Sequence, residues 1–87
     1  MRESDKLDGR LRRKLADAPD QTVSLIVRTA GEPTPYLARL TELGMQVTHQ
    51  FRFLPGVSVT GPAQVALALL SESWIVSIEE DKPIRAA

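Results

Sequence analysis

Hydrophobic and polar residues alternate in four short segments of the chain. In residues 22–28, Val23, Leu25 and Val27 occupy every second position of a run rich in β-branched side chains. Because successive side chains of a strand point to opposite faces, this period predicts a strand. Similar patterns occur in residues 45–53, 57–60 and 75–81, so the sequence predicts four strands.

Helical signals separate the first strand from the second, and the third from the fourth. Thr34 is a candidate N-cap, a proline follows it, and Gly44 stands just past the end, which brackets a helix over residues 35–43. A second helix is predicted between Pro62 and Ser71, where apolar residues recur at helical spacing.

A third amphipathic helix is predicted near the N-terminus. Leucines recur every fourth residue from Leu7 to Leu15, which indicates a helix over residues 8–16. Asp8 is a candidate N-cap, and Pro19 follows the end of the helix. This helix belongs to an extension that precedes the predicted β-α-β-β-α-β domain, and we expect its basic cluster to form a solvated face.

The order of the elements predicts an α+β fold of the ferredoxin-like type. A β-α-β-β-α-β chain with both helices on one face forms a four-stranded antiparallel sheet whose other face stays open. By alternation, Phe51 and Phe53 are predicted to point toward the helices. The open face is predicted to carry Ser24, Ile26, Arg28, Gln46, Thr48, Gln50, Arg52, Ser58, Thr60, Ser77, Glu79 and Asp81.

The length of 87 residues fits one domain with a modest core. We divide the chain into an N-terminal extension over residues 1–21, a domain over residues 22–81 and an extended C-terminal tail over residues 82–87. Pro83 lacks the N–H group that the interior of a sheet needs, so the tail is not expected to rejoin the sheet. Such a tail is suited to presentation to a partner.

The charged residues balance, with 11 Lys and Arg against 11 Asp and Glu. Without a global electric field, neither nucleic acid nor an anionic membrane surface is an expected partner. No segment has the apolar length of a membrane span, and the N-terminus lacks the apolar run of a signal peptide. The chain has no cysteine, which leaves the redox compartment open.

Residues with catalytic chemistry are scarce. The single histidine, His49, lies within a predicted strand, and no cysteine can act as a nucleophile, so we expect that the chain is not an enzyme. Metal binding is not expected, because the consecutive carboxylates of Glu79, Glu80 and Asp81 point to alternate faces of a strand. No cofactor is implied by any motif.

Two interpretations that involve nucleotides are also disfavoured. Residues 56–61 have the glycine spacing of a phosphate-binding loop, but Pro62 and Ala63 stand where that loop needs a Lys and a Ser or Thr. RNA-recognition domains stack bases on aromatic residues of the open face, whereas Phe51 and Phe53 are predicted on the helix-covered face.

The last predicted strand and the tail carry a family resemblance. Residues 75–81 read Ile-Val-Ser-Ile-Glu-Glu-Asp and precede a short tail, and residues 56–59 read Gly-Val-Ser-Val. This pattern resembles the subtilisin propeptide-like inhibitor family, whose last strand reads roughly Val-x-x-Val-Glu-x-Asp and whose third strand begins with Gly, an apolar residue and Ser. The likeness covers about residues 22–87.

The resemblance implies binding to a subtilisin-like serine protease. In the family, the two acids of the last strand cap the N-termini of two surface helices of the protease. The tail lies in the substrate cleft as a product mimic, where Ile84 would fill the pocket for the fourth residue before the scissile bond. The protease-binding residues implied in this chain are Glu79, Asp81, Ile84, Arg85, Ala86 and Ala87.

The implied function is inhibition of that protease and, if the chain is a prodomain, assistance in its folding. We expect a monomer when the chain is free. A free-standing inhibitor would be cytoplasmic, whereas a trimmed prodomain would be secreted. The alternative is a non-inhibitory interaction module of the same fold, which pairs with another partner or with itself through an exposed strand edge. A small-molecule sensor is disfavoured, because no loop is rich in convergent polar groups.

Overall fold

Helices and strands of the computed structural model, which describes residues 6–81, follow the predicted order. The helices are α1 (Gly9–Asp17), α2 (Leu37–Leu43) and α3 (Ala63–Leu69), with a 3-10 turn at Thr34–Tyr36 leading into α2. The strands are β1 (Thr22–Thr29), β2 (Gln46–Gln50), β3 (Gly56–Pro62) and β4 (Ile75–Glu80).

The four strands form one antiparallel sheet in the order β2-β3-β1-β4. β1 lies in the interior of the sheet, where Leu25 is paired with Val59 of β3 and with Glu80 of β4. β2 and β4 are therefore the outer strands. One antiparallel sheet with three helices is an α+β structure, and this part of the predicted fold class is confirmed.

Two helix ends follow the capping residues of the sequence. At the start of α1, a side-chain oxygen of Asp8 accepts a hydrogen bond from the amide of Arg10 at 3.4 Å. α2 ends at Gly44, whose amide donates to the carbonyl oxygens of Leu40 and Thr41, and its left-handed φ of 111° turns the amide of Met45 toward the carbonyl oxygen of Leu40 at 2.9 Å. Both ends were predicted from local residue types.

The helix near the N-terminus, assigned from the sequence to an extension before the domain, contributes to the core. Leu7, Leu11 and Leu15 are buried in the same cluster as Leu25 and Val59, and α1 packs against α3. α2 and α3 have 7 residues each, which corresponds to about 10 Å of helix. Two helices of this length leave part of the sheet uncovered, and α1 covers it.

β2 is shorter than predicted and has an irregular register. Pairing with β3 shifts between Val47 and His49, so an extra residue is inserted in β2. One extra residue reverses the faces of every side chain that follows it. Val47 therefore faces the helices, whereas Phe51 does not, and Phe53 lies beyond the end of β2 with 93% of its surface exposed. The predicted direction of both phenylalanines was wrong.

β4 also contains an irregularity. Its register against β1 shifts between Arg28 and Thr29, which leaves Val76 without a partner in β1. Ile75 and Ile78 are consequently both buried, although they are an odd number of residues apart, while Val76 is exposed. The remainder of β4 alternates as the sequence predicted.

Candidate functional site

The face of the sheet that lies opposite the helices, called the open face below, is lined by alternate residues of the strands. At its centre, Ile26 of β1 is paired with Ser58 of β3 and Glu79 of β4. Ser24 is paired with Thr60, and their hydroxyl oxygens are 3.3 Å apart. The predicted members that the register places on this face are Ser24, Ile26, Arg28, Gln46, Ser58, Thr60, Ser77 and Glu79.

The predicted members from the second half of β2 lie elsewhere. Gln50 is paired with Val57 on the helix-covered side, where its side-chain amide donates to a carboxylate oxygen of Glu32 at 3.0 Å. Thr48 lies at the register shift and has no paired residue in β3, and Arg52 lies in the loop after β2. The alternation used for the prediction failed here because it assumed a strand without an inserted residue.

The acidic end of β4 is accessible on the open face, as predicted for Glu79. An Oε1 atom of Glu79 lies 3.9 Å from Nε of Arg28, and both side chains are about half exposed. Such exposed ion pairs contribute about 0–1 kcal/mol, so this pair does not prevent Glu79 from binding a partner. Asp81 follows β4 directly, and its amide donates to the carbonyl oxygen of Ser24 at 3.0 Å.

Glu80, between these two acids, serves the fold. It is paired with Leu25 on the helix-covered side, and its Oε2 atom forms an ion pair with Nζ of Lys14 in α1. The two residues are 66 positions apart in the sequence. The sequence contains no local signal for this contact, because it depends on where α1 docks.

The opposite corner of the open face is aromatic. The rings of His49 and Phe51 meet edge to face, with their centroids 5.3 Å apart. Phe51 also lies over Gly56, where an added Cβ atom would come within 3.3 Å of the phenylalanine ring. The chain then passes through the exposed Phe53 and Leu54, which complete this corner, before β3 begins. The prediction that Phe51 points toward the helices is therefore wrong.

The aromatic corner and the acidic strand end lie diagonally across the open face. Two strands lie between β2 and β4. Along the strand direction, Phe51 is hydrogen-bonded to Gly56, which is paired with Arg28, whereas Asp81 is hydrogen-bonded to Ser24. With about 4.8 Å between strands and about 3.3 Å per residue, the two ends are roughly 15–20 Å apart. Arg52 lies in the loop at the aromatic corner and Asp81 lies at the acidic end, whereas Arg28 and Glu79 form an ion pair between neighbouring strands.

The predicted tail residues Ile84, Arg85, Ala86 and Ala87 lie outside the described residues. Among residues 6–81, no group of three or more His, Asp or Glu side chains is placed to hold a metal ion. No helix within the same residues is long and apolar enough to cross a membrane.

Phe51 lies on the open face and not, as predicted, on the helix-covered face. RNA binding was disfavoured because of that predicted position, so this reason no longer holds. A different observation replaces it: the central strands carry no aromatic residue on the open face. The residues of β1 and β3 there are Thr22, Ser24, Ile26, Arg28, Gly56, Ser58, Thr60 and Pro62. RNA-recognition domains stack bases on aromatic residues at the centre of the sheet.

Comparison with known proteins adds no assignment: no family model matches the chain, and no curated protein matches it.

Proposed function

We propose that this chain binds and inhibits a subtilisin-like serine protease by docking its open face and inserting its C-terminal tail into the substrate cleft. The observation that carries the proposal is the position of Glu79. Its carboxylate is exposed on the open face, and two residues later the chain leaves the sheet at Asp81. Residues 82–87 follow Asp81 in the sequence, so docking of the acidic strand end and insertion of the tail can act together in this proposal.

The finer fold assignment, a ferredoxin-like sheet, belongs to the same proposal. In the order β2-β3-β1-β4, β3 lies between β1 and β2, and β1 lies between β3 and β4. Each β-α-β unit is thus split by a strand of the other unit, which is typical of ferredoxin-like domains. The resemblance to propeptide-like inhibitors implies the same plan, so the strand order supports both.

Carboxylates at the end of β4 suit the N-termini of helices on the partner. The first backbone N–H groups of a helix have no partner within the helix, and the helix dipole is positive there. A carboxylate in such a position gains about 0.3–2 kcal/mol. Glu79 and Asp81 are two residues apart, so each can meet a different helix end, and the uncharged Ser24 and Thr60 nearby permit close approach.

The tail supplies the inhibitory step in this proposal. An extended peptide can add to the edge of a cleft as a strand, with alternate side chains entering pockets. Ile84 would enter a hydrophobic pocket, Arg85 would separate it from the small residues, and Ala86 and Ala87 would pass the catalytic centre. As a prodomain, the same chain would assist folding, because binding only the native protease stabilises that state by mass action.

Inhibition of purified subtilisin, followed with a small chromogenic peptide substrate, tests the proposal. We expect competitive inhibition by the intact chain at micromolar concentration or below. Deletion of residues 84–87 is expected to abolish competition with the substrate, while binding to an active-site serine-to-alanine subtilisin persists through the open face. A truncated chain that inhibits with unchanged potency would contradict the role of the tail.

The alternative function, a non-inhibitory interaction module, has one supporting observation. β2 is an outer strand whose residues are mostly exposed, whereas β4 is partly covered by the N-terminal segment through a bridge between Leu7 and Ile78. Pairing with another chain through a strand edge would therefore use β2. If the intact chain leaves subtilisin unaffected at micromolar concentration and elutes as a concentration-dependent dimer, this alternative replaces the inhibitor.

A further inference from the structure

We infer that Phe53, supported by Leu54, is a second anchor that inserts into an apolar pocket of the same protease, at the opposite end of the interface from Glu79. The inference rests on the proposed function, because it identifies a further contact of the same docking face. It concerns residues of the loop between β2 and β3, residues 51–55, called the aromatic loop below.

The exposure of the aromatic loop has no explanation within the fold. Phe53 is 93% exposed and Leu54 is 53% exposed. Within residues 6–81 the only other large hydrophobic residue in this class is Val76, at 36%. Phe53 follows the end of β2 and belongs to no strand pair, so it contributes no cross-strand contact. An exposed Phe beside an exposed Leu is a feature of binding surfaces.

The aromatic loop continues the open face. The ring of Phe51 lies on that face beside His49, and Phe53 follows two residues later. A partner that covers the open face as far as Phe51 therefore reaches the loop that carries Phe53. Aromatic residues, including Phe, are enriched at protein interfaces, where a few side chains carry most of the binding energy.

The ends of the aromatic loop are held by the sheet. The amide of Phe51 donates to the carbonyl oxygen of Gly56 at 3.1 Å, and the amide of Thr29 donates to the carbonyl oxygen of Pro55 at 3.0 Å. Only residues 52–54 lie between these two attachment points. Because little chain remains to be ordered, binding through Phe53 loses little conformational entropy.

Charge determines the kind of partner surface. Arg52 precedes Phe53 in the aromatic loop, whereas Asp81 lies diagonally opposite at the end of β4, and Glu79 near it lies 3.9 Å from Arg28. The complementary surface has helix N-termini, which are electropositive, at one end. At the other end, roughly 15–20 Å away, it has an apolar pocket with a neutral or acidic rim. Complementary charges of this kind select one docking orientation.

The test measures dissociation constants for the full chain and its variants with an active-site serine-to-alanine subtilisin, by biolayer interferometry. Phe53→Ser is expected to weaken binding by about 10- to 100-fold, mainly through faster dissociation. Phe53→Leu is the matched control and is expected to retain most of the affinity, because it keeps apolar surface. Both variants are expected to melt within about 2 °C of the parent chain, since the side chain is exposed.

The outcomes separate this inference from the proposed function. If the parent chain does not bind at micromolar concentration, the proposed function fails and this inference fails with it. If the parent chain binds and Phe53→Ser binds equally well, only the second anchor is overturned. An equal loss of affinity in Phe53→Ser and Phe53→Leu would also overturn it. Leucine keeps apolar surface that serine lacks, so an anchor that acts by burying apolar surface requires the serine variant to lose more affinity.

A final arm of the experiment examines a different class of partner. The aromatic loop contains a basic residue, Arg52, and exposed aromatics beside a basic residue also bind single-stranded nucleic acid. A fluorescently labelled oligouridine is titrated with the parent chain and with Phe53→Ser. We expect no saturable binding by either protein. Binding by the parent chain that is lost in Phe53→Ser would assign the loop to RNA and overturn the inference.

Discussion

The amide of Ile78 donates a hydrogen bond to the carbonyl oxygen of Lys6 at 2.7 Å, so the N-terminal segment lies beside β4 as a short parallel partner. The Nζ atom of Lys6 also donates to the carbonyl oxygens of Leu70 and Glu72, both at 3.0 Å, just after α3. Lys6 and Leu7 thus contact β4, the strand with the acidic end, and Lys14 forms an ion pair with Glu80 of the same strand. The site depends on a segment that the sequence placed outside the domain.

Replacement of Lys6 by Met is expected to lower the free energy of unfolding by about 1–3 kcal/mol. The Lys6 residue is 8% exposed, and its loss leaves two buried or half-buried carbonyl oxygens without their charged donor. Urea denaturation followed by circular dichroism measures the change. Arg13→Met, at an exposed position of α1, is the control and should change stability by less than about 0.5 kcal/mol.

Leu15→Ala is expected to cost about 2–5 kcal/mol, as much as Leu69→Ala in α3, because both residues are fully buried in one cluster. Denaturant titration of the two variants compares them directly. A cost below about 1 kcal/mol for Leu15→Ala, with a full cost for Leu69→Ala, would show that α1 is a dispensable extension after all.

Gly44→Ala is expected to destabilise the fold by about 1–2 kcal/mol. The φ of 111° is unfavourable for residues with a Cβ atom, and an added Cβ would approach a methyl group of Val65 to 3.3 Å. Gly9→Ala is the matched control, because its added Cβ meets no atom within 4 Å. Thermal unfolding of the two variants should separate them, and equal melting temperatures would contradict the account of the α2 end.

The double variant Glu79→Gln with Asp81→Asn is expected to weaken binding to subtilisin by about 1–4 kcal/mol in total, by removing the charges that helix N-termini favour. Binding to the serine-to-alanine enzyme measures the loss. Glu42→Gln, on the exposed side of α2, is the control and should bind like the parent chain. A double variant with unchanged affinity would remove the acidic strand end from the interface.

Local signals account for the parts of the structure that the sequence determined by itself. The glycine after α2, the aspartate before α1 and the regular alternation of β1 act within a few residues, so the sequence alone predicts the order and class of the elements. The same applies to Glu79, whose face follows from the regular half of β4.

Only the tertiary structure decided which face Phe51 takes and where α1 lies. The face of Phe51 depends on a residue inserted in β2, and that insertion is defined by pairing with β3 rather than by residue types in β2. The position of α1 depends on the area that α2 and α3 leave uncovered, which no single segment encodes. Lys14 and Glu80 meet for the same reason, because a contact between residues far apart in sequence exists only once the surfaces between them have packed.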